Sequence, residues 1–270
     1  MKNKWGVYLL LTLFTMLFLI PVYILFNTSL KEFKDISLPK MWDITKNINL
    51  SSYSDAFKQL KPNILNSFYI TIPTTILSAL LGSLNGYIFS KWKFKGSNII
   101  FSLFLFGMFI PYQSILIPLI QVLQKIGLYG NIFGLIFTHT IYGIPLMTLI
   151  FRNYYANVPK ELIEAGKLDG TSIFGIYRFI LLPISLPAFI VAVVWQFTSV
   201  WNEFFFALVI ATDPKIQPVT VALANIAGSE YTIWNIQMAG ATLVSIPPLL
   251  VYVFLGRYFI KGLLAGSVKG

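Results

Sequence analysis

Residues 158–187, VPKELIEAGKLDGTSIFGIYRFILLPISLP, decide how the whole chain is read. This is the longest polar-containing stretch of the second half, and strongly apolar segments lie on both sides of it. Pro159 suits the first turn of a helix, where its missing N–H has no intrahelical partner to lose. The helix it opens carries Glu161, Leu162, Glu164, Ala165, Lys167 and Leu168. Gly170 can take the positive φ of a helix end, and Thr171 or Ser172 can cap a second helix. Ile173, Phe174, Ile176, Tyr177 and Ile180 give that second helix a broad apolar face. The spacing predicts two short helices joined by a tight elbow, with Pro183 and Pro187 marking entry into a membrane.

The flanks say what kind of protein carries this elbow. Of the 270 residues, 56% are hydrophobic and 11% charged, with a mean hydropathy of +0.73. A soluble domain carries about 25% charged residues, so this chain is built for lipid. The absence of cysteine excludes a disulfide framework, a thiol nucleophile and a thiolate metal site. A single histidine, His139, excludes a histidine-rich metal site.

Met1–Lys4 is a short basic start, followed by an apolar run from Trp5 to Phe26 that is long enough to cross a bilayer core. It lacks a small-residue cleavage site and reads as a retained anchor. Residues 31–62 are polar and read as an outer loop with one short helix. Further apolar spans cover about 64–90, 98–121, 131–151, 180–211 and 236–260. The fold expected is all-α: a polytopic membrane protein of six transmembrane helices with a two-helix cytoplasmic elbow. It forms one transmembrane domain over 1–270, its core at about 60–270 following the anchor at 5–26 and the loop at 31–62.

Charge sets the orientation. With the N-terminus inside, the inner segments hold Lys2, Lys4, Lys91, Lys93, Lys95, Arg152, Lys160, Lys167, Arg178, Arg257, Lys261 and Lys269. Only Glu161, Glu164 and Asp169 oppose them, whereas the outer segments hold eight lysines and six acids. Basic residues favour the cytoplasmic side, so both termini and the elbow are expected in the cytoplasm of a multi-pass chain. The net charge of +10 is therefore a topology signal and not a nucleic-acid footprint. Pro21, Pro73, Pro111, Pro118, Pro145, Pro183, Pro187, Pro247 and Pro248 fall in the apolar spans. Each removes a backbone hydrogen bond that neighbours or a wet cavity must replace, so bent helices around a polar path are expected. Pro21, Pro183 and Pro187 read equally well as helix ends.

The elbow also carries a family resemblance. Glu164-Ala165-Gly166, three residues, Gly170, nine residues, Ile180, one residue and Leu182-Pro183 resemble the EAA loop of ATP-binding-cassette importer permeases. Gly166 departs from the pattern, standing where the family has a second alanine. IPYQSILIPL at 110–119, GLYGNIFGLIF at 127–137, WNEFFFAL at 201–208 and RYFIKGLLAGSVKG at 257–270 resemble the carbohydrate branch, in particular the second subunit of maltose-type permeases. The likeness covers roughly residue 60 to the end. It implies a bacterial or archaeal cell-membrane protein that moves a carbohydrate, of oligosaccharide type, by alternating access. It also implies a homologous second permease chain, two ATPase subunits, an external solute-binding protein and surrounding membrane lipid as partners. Glu164, Ala165, Gly166 and Gly170, with Asp169 beside them, become the ATPase-coupling residues. ATP and Mg belong to the ATPase subunits, and this chain binds no cofactor or metal. No GxxxxGK[ST] phosphate loop occurs in the sequence, in keeping with a non-catalytic permease subunit. From the residues alone the elbow reads equally as a docking element or as an amphipathic segment on the membrane surface.

Polar groups within the spans are candidates for the solute path. Glu203, after Trp201 and Asn202, is a carboxylate at membrane depth, where charge is costly and faces a bundle interior or water. Gln113, Ser114, Asn85 and Tyr142 join it more weakly, because interhelical hydrogen bonds explain them equally well. Sugar recognition wants aromatic faces with amide and carboxylate partners, and Trp195, Trp201, Asn202 and Glu203 offer such a set, although aromatics are also routine at membrane interfaces. His139 reads as a helix-packing histidine. The segment 212–235 reads as an outer loop that reaches the binding protein, or as a passive connector. A gradient-driven secondary transporter is the competing class, with Glu203 and His139 a thin supply of coupling groups. A membrane enzyme would need a catalytic set, and none is visible.

Overall fold

The computed structural model describes residues 4–92, 94–228 and 233–267, with side chains of the last helix described to Tyr258. Lys2, Lys93 and Lys269, used above to orient the chain, Glu230, one of the six outer acids, and the end of the 257–270 motif lie outside the described residues. Those described are helical with irregular connections, and no strand occurs among them. Twelve α-helices follow in order: α1 Lys4–Ser29, α2 Ser51–Lys91, α3 Ser97–Phe106, α4 Leu116–Lys125, α5 Ile132–Ala156, α6 Lys160–Leu168, α7 Ile173–Ile176, α8 Leu182–Ile184, α9 Leu186–Trp201, α10 Phe205–Ile210, α11 Val219–Ala227 and α12 Trp234–Ser267. Four of them (α1, α2, α5 and α12) are long and apolar enough to cross a membrane individually, and two bent pairs raise the number to as many as six.

Three expectations are corrected. First, 31–62 is not a loop with one short helix, because α2 already begins at Ser51. Asn49 Oδ1 accepts from the Ser51 N–H at 2.9 Å, and Ser52, Ala56 and Leu60, at helical spacing, are buried on one face. That periodicity outweighs the polar composition of Lys58, Lys61 and Pro62. The 41 residues of α2 extend about 60 Å at 1.5 Å each, roughly twice a bilayer core. Second, the span expected at 98–121 breaks by 94° between Phe109 and Tyr112. Pro111 disfavours helical geometry in its predecessor, and Ile110 accordingly sits at φ −72°, ψ 120°. Third, the span expected at 180–211 bends by 78° at Ser185 and ends as a helix at Trp201, with α10 starting afresh at Phe205. Pro187 lies in the first turn of α9.

Contacts divide the chain into two units, Met1–Ile64 with Val219–Ile246, and Leu65–Pro218 with Pro247–Gly270. In the first, the Asn27 amide at the end of α1 donates to the carbonyls of Met41 and Asp43 and accepts from the Thr45 N–H. This folds the 31–50 segment back on α1, while Ala56 and Leu60 of α2 pack against Gly240 of α12. The most hydrophobic stretch of α1 buries none of its residues within the chain, as expected of a helix faced by lipid.

In the second unit the core joins α2, α5, the elbow and α9: Tyr87, Met147, Phe151, Tyr155, Ile163, Ile176, Leu181 and Ala192. Gly82 and Gly86 of α2 set its geometry. A Cβ on Gly82 would collide with Met147, and one on Gly86 would stand 2.7 Å from the Arg152 nitrogen and from Phe151 Cβ. The backbones of α2 and α5 therefore touch through a small-xxx-small pair, which suits helix association in lipid.

Candidate functional site: the elbow and the helix breaks

The elbow forms as the local chemistry dictates. Pro159 stands one residue before α6, as its cap rather than its first residue. At the far end Gly170 has φ +72°, its N–H donates to the Lys167 carbonyl at 3.0 Å, and the Thr171 N–H donates to the Gly166 carbonyl at 2.9 Å. These two bonds with a left-handed glycine make a Schellman stop. Of the two capping candidates it is Ser172 whose hydroxyl serves α7, accepting from the Gly175 N–H at 3.1 Å. Tyr177–Leu181 continues as a π-helical segment before α8.

The two arms close on each other through small contacts. Ile163 and Gly166 of α6 are buried, and a Cβ on Gly166 would stand 2.8 Å from Ile180 Cδ1 and 3.2 Å from Ile176 Cγ1. Glycine at the variant position of the EAA pattern thus lets α6 lie close on the second arm. The apolar face expected of that arm is divided: Ile176 and Tyr177 are buried, whereas Ile173 and Phe174 are exposed. Glu164, Ala165, Asp169 and Gly170 all face outward, beside Leu168, which is 88% exposed. The elbow presents a tip of one bare leucine flanked by acids and small residues. Its root is fixed by Lys91 Nζ donating to the Val158 carbonyl (2.6 Å), the Tyr87 hydroxyl to Ile173 (3.2 Å) and the Tyr154 hydroxyl to Ile184 (2.6 Å). Lys167 also lies 4.5 Å over the Trp92 ring.

The polar candidates gather elsewhere in the same unit. Glu203 lies in the turn between α9 and α10, where its Oε1 accepts from the Phe206 N–H at 2.7 Å and Oε2 from Ala207 at 3.2 Å. A carboxylate at a helix start satisfies N–H groups that have no intrahelical partner. His139 of α5 approaches, Nε2 3.5 Å from Glu203 Oε2, so the histidine does more than fill space. Phe206 is the hub: its ring lies 5.2 Å from Tyr112, 5.6 Å from His139 and 5.0 Å from Tyr142. The break beside Pro111 and the break beside Glu203 therefore meet, with Tyr112 also 5.6 Å from Phe205. Irregular backbone at membrane depth is tolerated where protein buries it or where it lines water.

Tyr142 and Glu203 are thus brought together, with Gln113 next to Tyr112 and exposed, and Asn202 exposed beside Glu203. Trp201 stands apart. It is 1% exposed, stacked on Phe197 at 5.7 Å and edge-on to Phe68 at 4.9 Å, and so packs helices in this conformation. Trp195 is half exposed. Sequence reasoning missed Gln196, a buried amide whose Nε2 donates to Ser78 Oγ and the His139 carbonyl, both at 3.3 Å. Gly143 leaves room for that amide. An isolated glutamine in the apolar run 186–200 was the available signal, as was the GSLNG spacing of 82–86 for the helix contact.

Residues 78–264 match the family described as binding-protein-dependent transport system inner membrane component. A probable ABC transporter permease protein of Pyrococcus horikoshii is 48% identical over 174 residues, 64% of this chain and 63% of that protein. The glucose import system permease protein GlcU of Saccharolobus solfataricus is 36% identical over 273 residues, 97% of this chain and 95% of that protein. Among solved structures, a bacterial ABC transporter involved in the import of the acidic polysaccharide alginate superposes with a TM-score of 0.82 at 20% identity. It covers 96% of this chain and 98% of its own, and shares the fold. The chain belongs to the family of binding-protein-dependent transport system inner membrane components.

Proposed function

We propose that this chain is one membrane-spanning subunit of an ATP-driven carbohydrate importer, working with a homologous permease chain, two ATPase subunits and an external binding protein. The observation that carries the ATP-driven reading is the elbow, whose rigid root holds Leu168, Glu164, Ala165 and Asp169 outward as a plug for a cleft on another protein. Carbohydrate is supported by the glucose import permease, related over 97% of this chain. ATP and Mg are held by the ATPase subunits, and the permease supplies movement and a path. Both termini and the elbow lie in the cytoplasm, and 1–270 acts as a single transmembrane permease domain.

The path runs past the junction of the two helix breaks. Tyr112, Tyr142 and Phe206 offer ring faces, while Gln113, Asn202 and Glu203 offer hydrogen-bonding groups for hydroxyls. Rocking of the elbow drives the bent helices between inward- and outward-open arrangements.

The test is purification of the tagged chain from its native membrane in gentle detergent, with mass spectrometry of whatever accompanies it. Recovery of an ATPase and a second permease is expected, followed by ATP hydrolysis that rises with binding protein and a member of a neutral-sugar panel beginning with glucose. Recovery of the chain alone, repeated after crosslinking, would overturn the reading.

A further inference from the structure

Between the elbow and the membrane helices lies a line of buried hydroxyls. The Tyr177 hydroxyl, in the π-helical segment, donates to Ser83 Oγ of α2 at 3.2 Å. Ser83 Oγ is 2.7 Å from the Tyr155 hydroxyl of α5. Since Tyr177 donates into Ser83, the Ser83 proton is free to pass on to Tyr155, and the preceding residue of α5, Tyr154, donates to the Ile184 carbonyl at 2.6 Å, next to Ser185. Ser185 marks the 78° bend between α8 and α9. Ser83, Tyr155 and Ser185 are fully buried and Tyr177 nearly so. Tyr87 stacks on Tyr177 at 5.9 Å and anchors Ile173 from the same helix as Ser83.

Apolar side chains would fill this core without any polar group to satisfy, and a buried hydroxyl is costly unless bonded. Directional bonds do what apolar packing cannot, since they resist sliding of one helix past another. The line also begins in a π-helical segment and reaches a bend, two places where a helix yields; π segments recur at functional sites.

We propose that the Tyr177–Ser83–Tyr155 hydroxyl line transmits displacement of the elbow to α2, α5 and the α8–α9 bend. The inference rests on the elbow being the ATPase contact. Tyr177 and Ser83 are positioning residues: they touch neither the nucleotide nor the solute, and they act by tying the elbow to the helices that bend. Loss of one hydroxyl leaves the elbow folded and docked but lets it move without the membrane helices following.

The experiment uses the assembled importer in lipid nanodiscs. Because the sequence has no cysteine, Ser199→Cys, at an exposed position in the last turn of α9, gives this chain a single site for an environment-sensitive fluorophore, attached before the importer is assembled. Binding of a non-hydrolysable ATP analogue shifts its emission in the otherwise unaltered importer. In Tyr177→Phe and in Ser83→Ala the shift falls by roughly fivefold to tenfold, the scale of one lost buried hydrogen bond. Both variants still co-purify with the ATPase. A full shift in both variants overturns the inference, as does loss of the ATPase from both, which would make the hydroxyls part of docking. If Tyr177→Phe alone fails to assemble, Ser83→Ala decides. No shift in the unaltered importer would refute the ATP-driven reading itself.

Discussion

Replacing Gly170 separates the elbow's geometry from its composition. Its φ of +72° is a conformation that alanine adopts at a cost of about 1–2 kcal/mol. A Cβ there meets nothing within 4 Å, so Gly170→Ala suffers backbone strain and no collision. An elbow strained by that amount occupies its native shape less often, and apparent affinity falls with the competent fraction. ATPase retention is therefore expected to weaken by up to roughly 5–30-fold. Gly170→Pro is a harsher change on the same atom. Proline is confined to φ near −65°, it removes the N–H donated to Lys167, and it bars Asp169 from its present φ −74°, ψ 5°. No adjustment confined to one residue restores the turn, and the ATPase should be lost altogether. The assay is titration of ATPase onto the chain in nanodiscs, read by co-sedimentation, with insertion checked by protease protection of the membrane spans. A Gly170→Pro chain that binds ATPase as the wild type does, with sugar-stimulated hydrolysis intact, refutes the argument.

Trp201→Ala should behave as a packing mutation, lowering stability by about 3–5 kcal/mol and the melting temperature in detergent, while the half-saturating sugar concentration for uptake stays unchanged in whatever importer survives. Glu203→Ala removes two N–H acceptors at the start of α10 and the His139 contact. It should cost about 0.5–2 kcal/mol from the cap alone and raise the sugar concentration needed for half-maximal uptake; unchanged uptake kinetics would remove Glu203 from the path. Gly86→Leu drives a side chain into the backbone of Arg152, so α2 and α5 must part. A loss of at least about 1–3 kcal/mol should appear as failure to recover folded chain by size-exclusion chromatography, whereas a monodisperse, heat-stable variant would show that the helices are not held by close approach.

The elbow was legible because its determinants are local. A glycine that must turn left-handed, a serine able to cap and a proline able to start lie within fifteen residues; the glycine and the serine perform their tasks where the spacing placed them, and the proline stands one position early, as the cap of α6. The helix breaks were hidden by the property that revealed the spans: hydropathy stays high across Pro111 and across Ser185, and a window average sees a continuous run. Ser51–Leu60 was hidden for the opposite reason, its Ser54, Asp55, Lys58 and Gln59 masking a buried face one residue in four wide. Trp201 and Glu203 were two residues apart in sequence and alike as candidates, yet Phe68 and Phe197 bury one while α10 draws the other to its N-terminus. Phe197 stands one helical turn before Trp201, within reach of a spacing rule, but Phe68 lies far along the chain and the Glu203 cap depends on where a helix restarts, and no spacing rule anticipates those.

The Schellman stop, the Ser172 cap and the close approach of Gly166 to Ile176 and Ile180 are each complete within the chain, which bears on the speed of assembly. A plug that is already shaped surrenders little conformational freedom when it is received. On the docking proposed above, encounter with the ATPase is governed by collision and orientation, with rate constants of about 10⁵–10⁷ M⁻¹s⁻¹, rather than by a folding step. Once seated, the complex owes its lifetime to how slowly the tip leaves. An importer put together this way can be built from subunits that arrive separately, in either order.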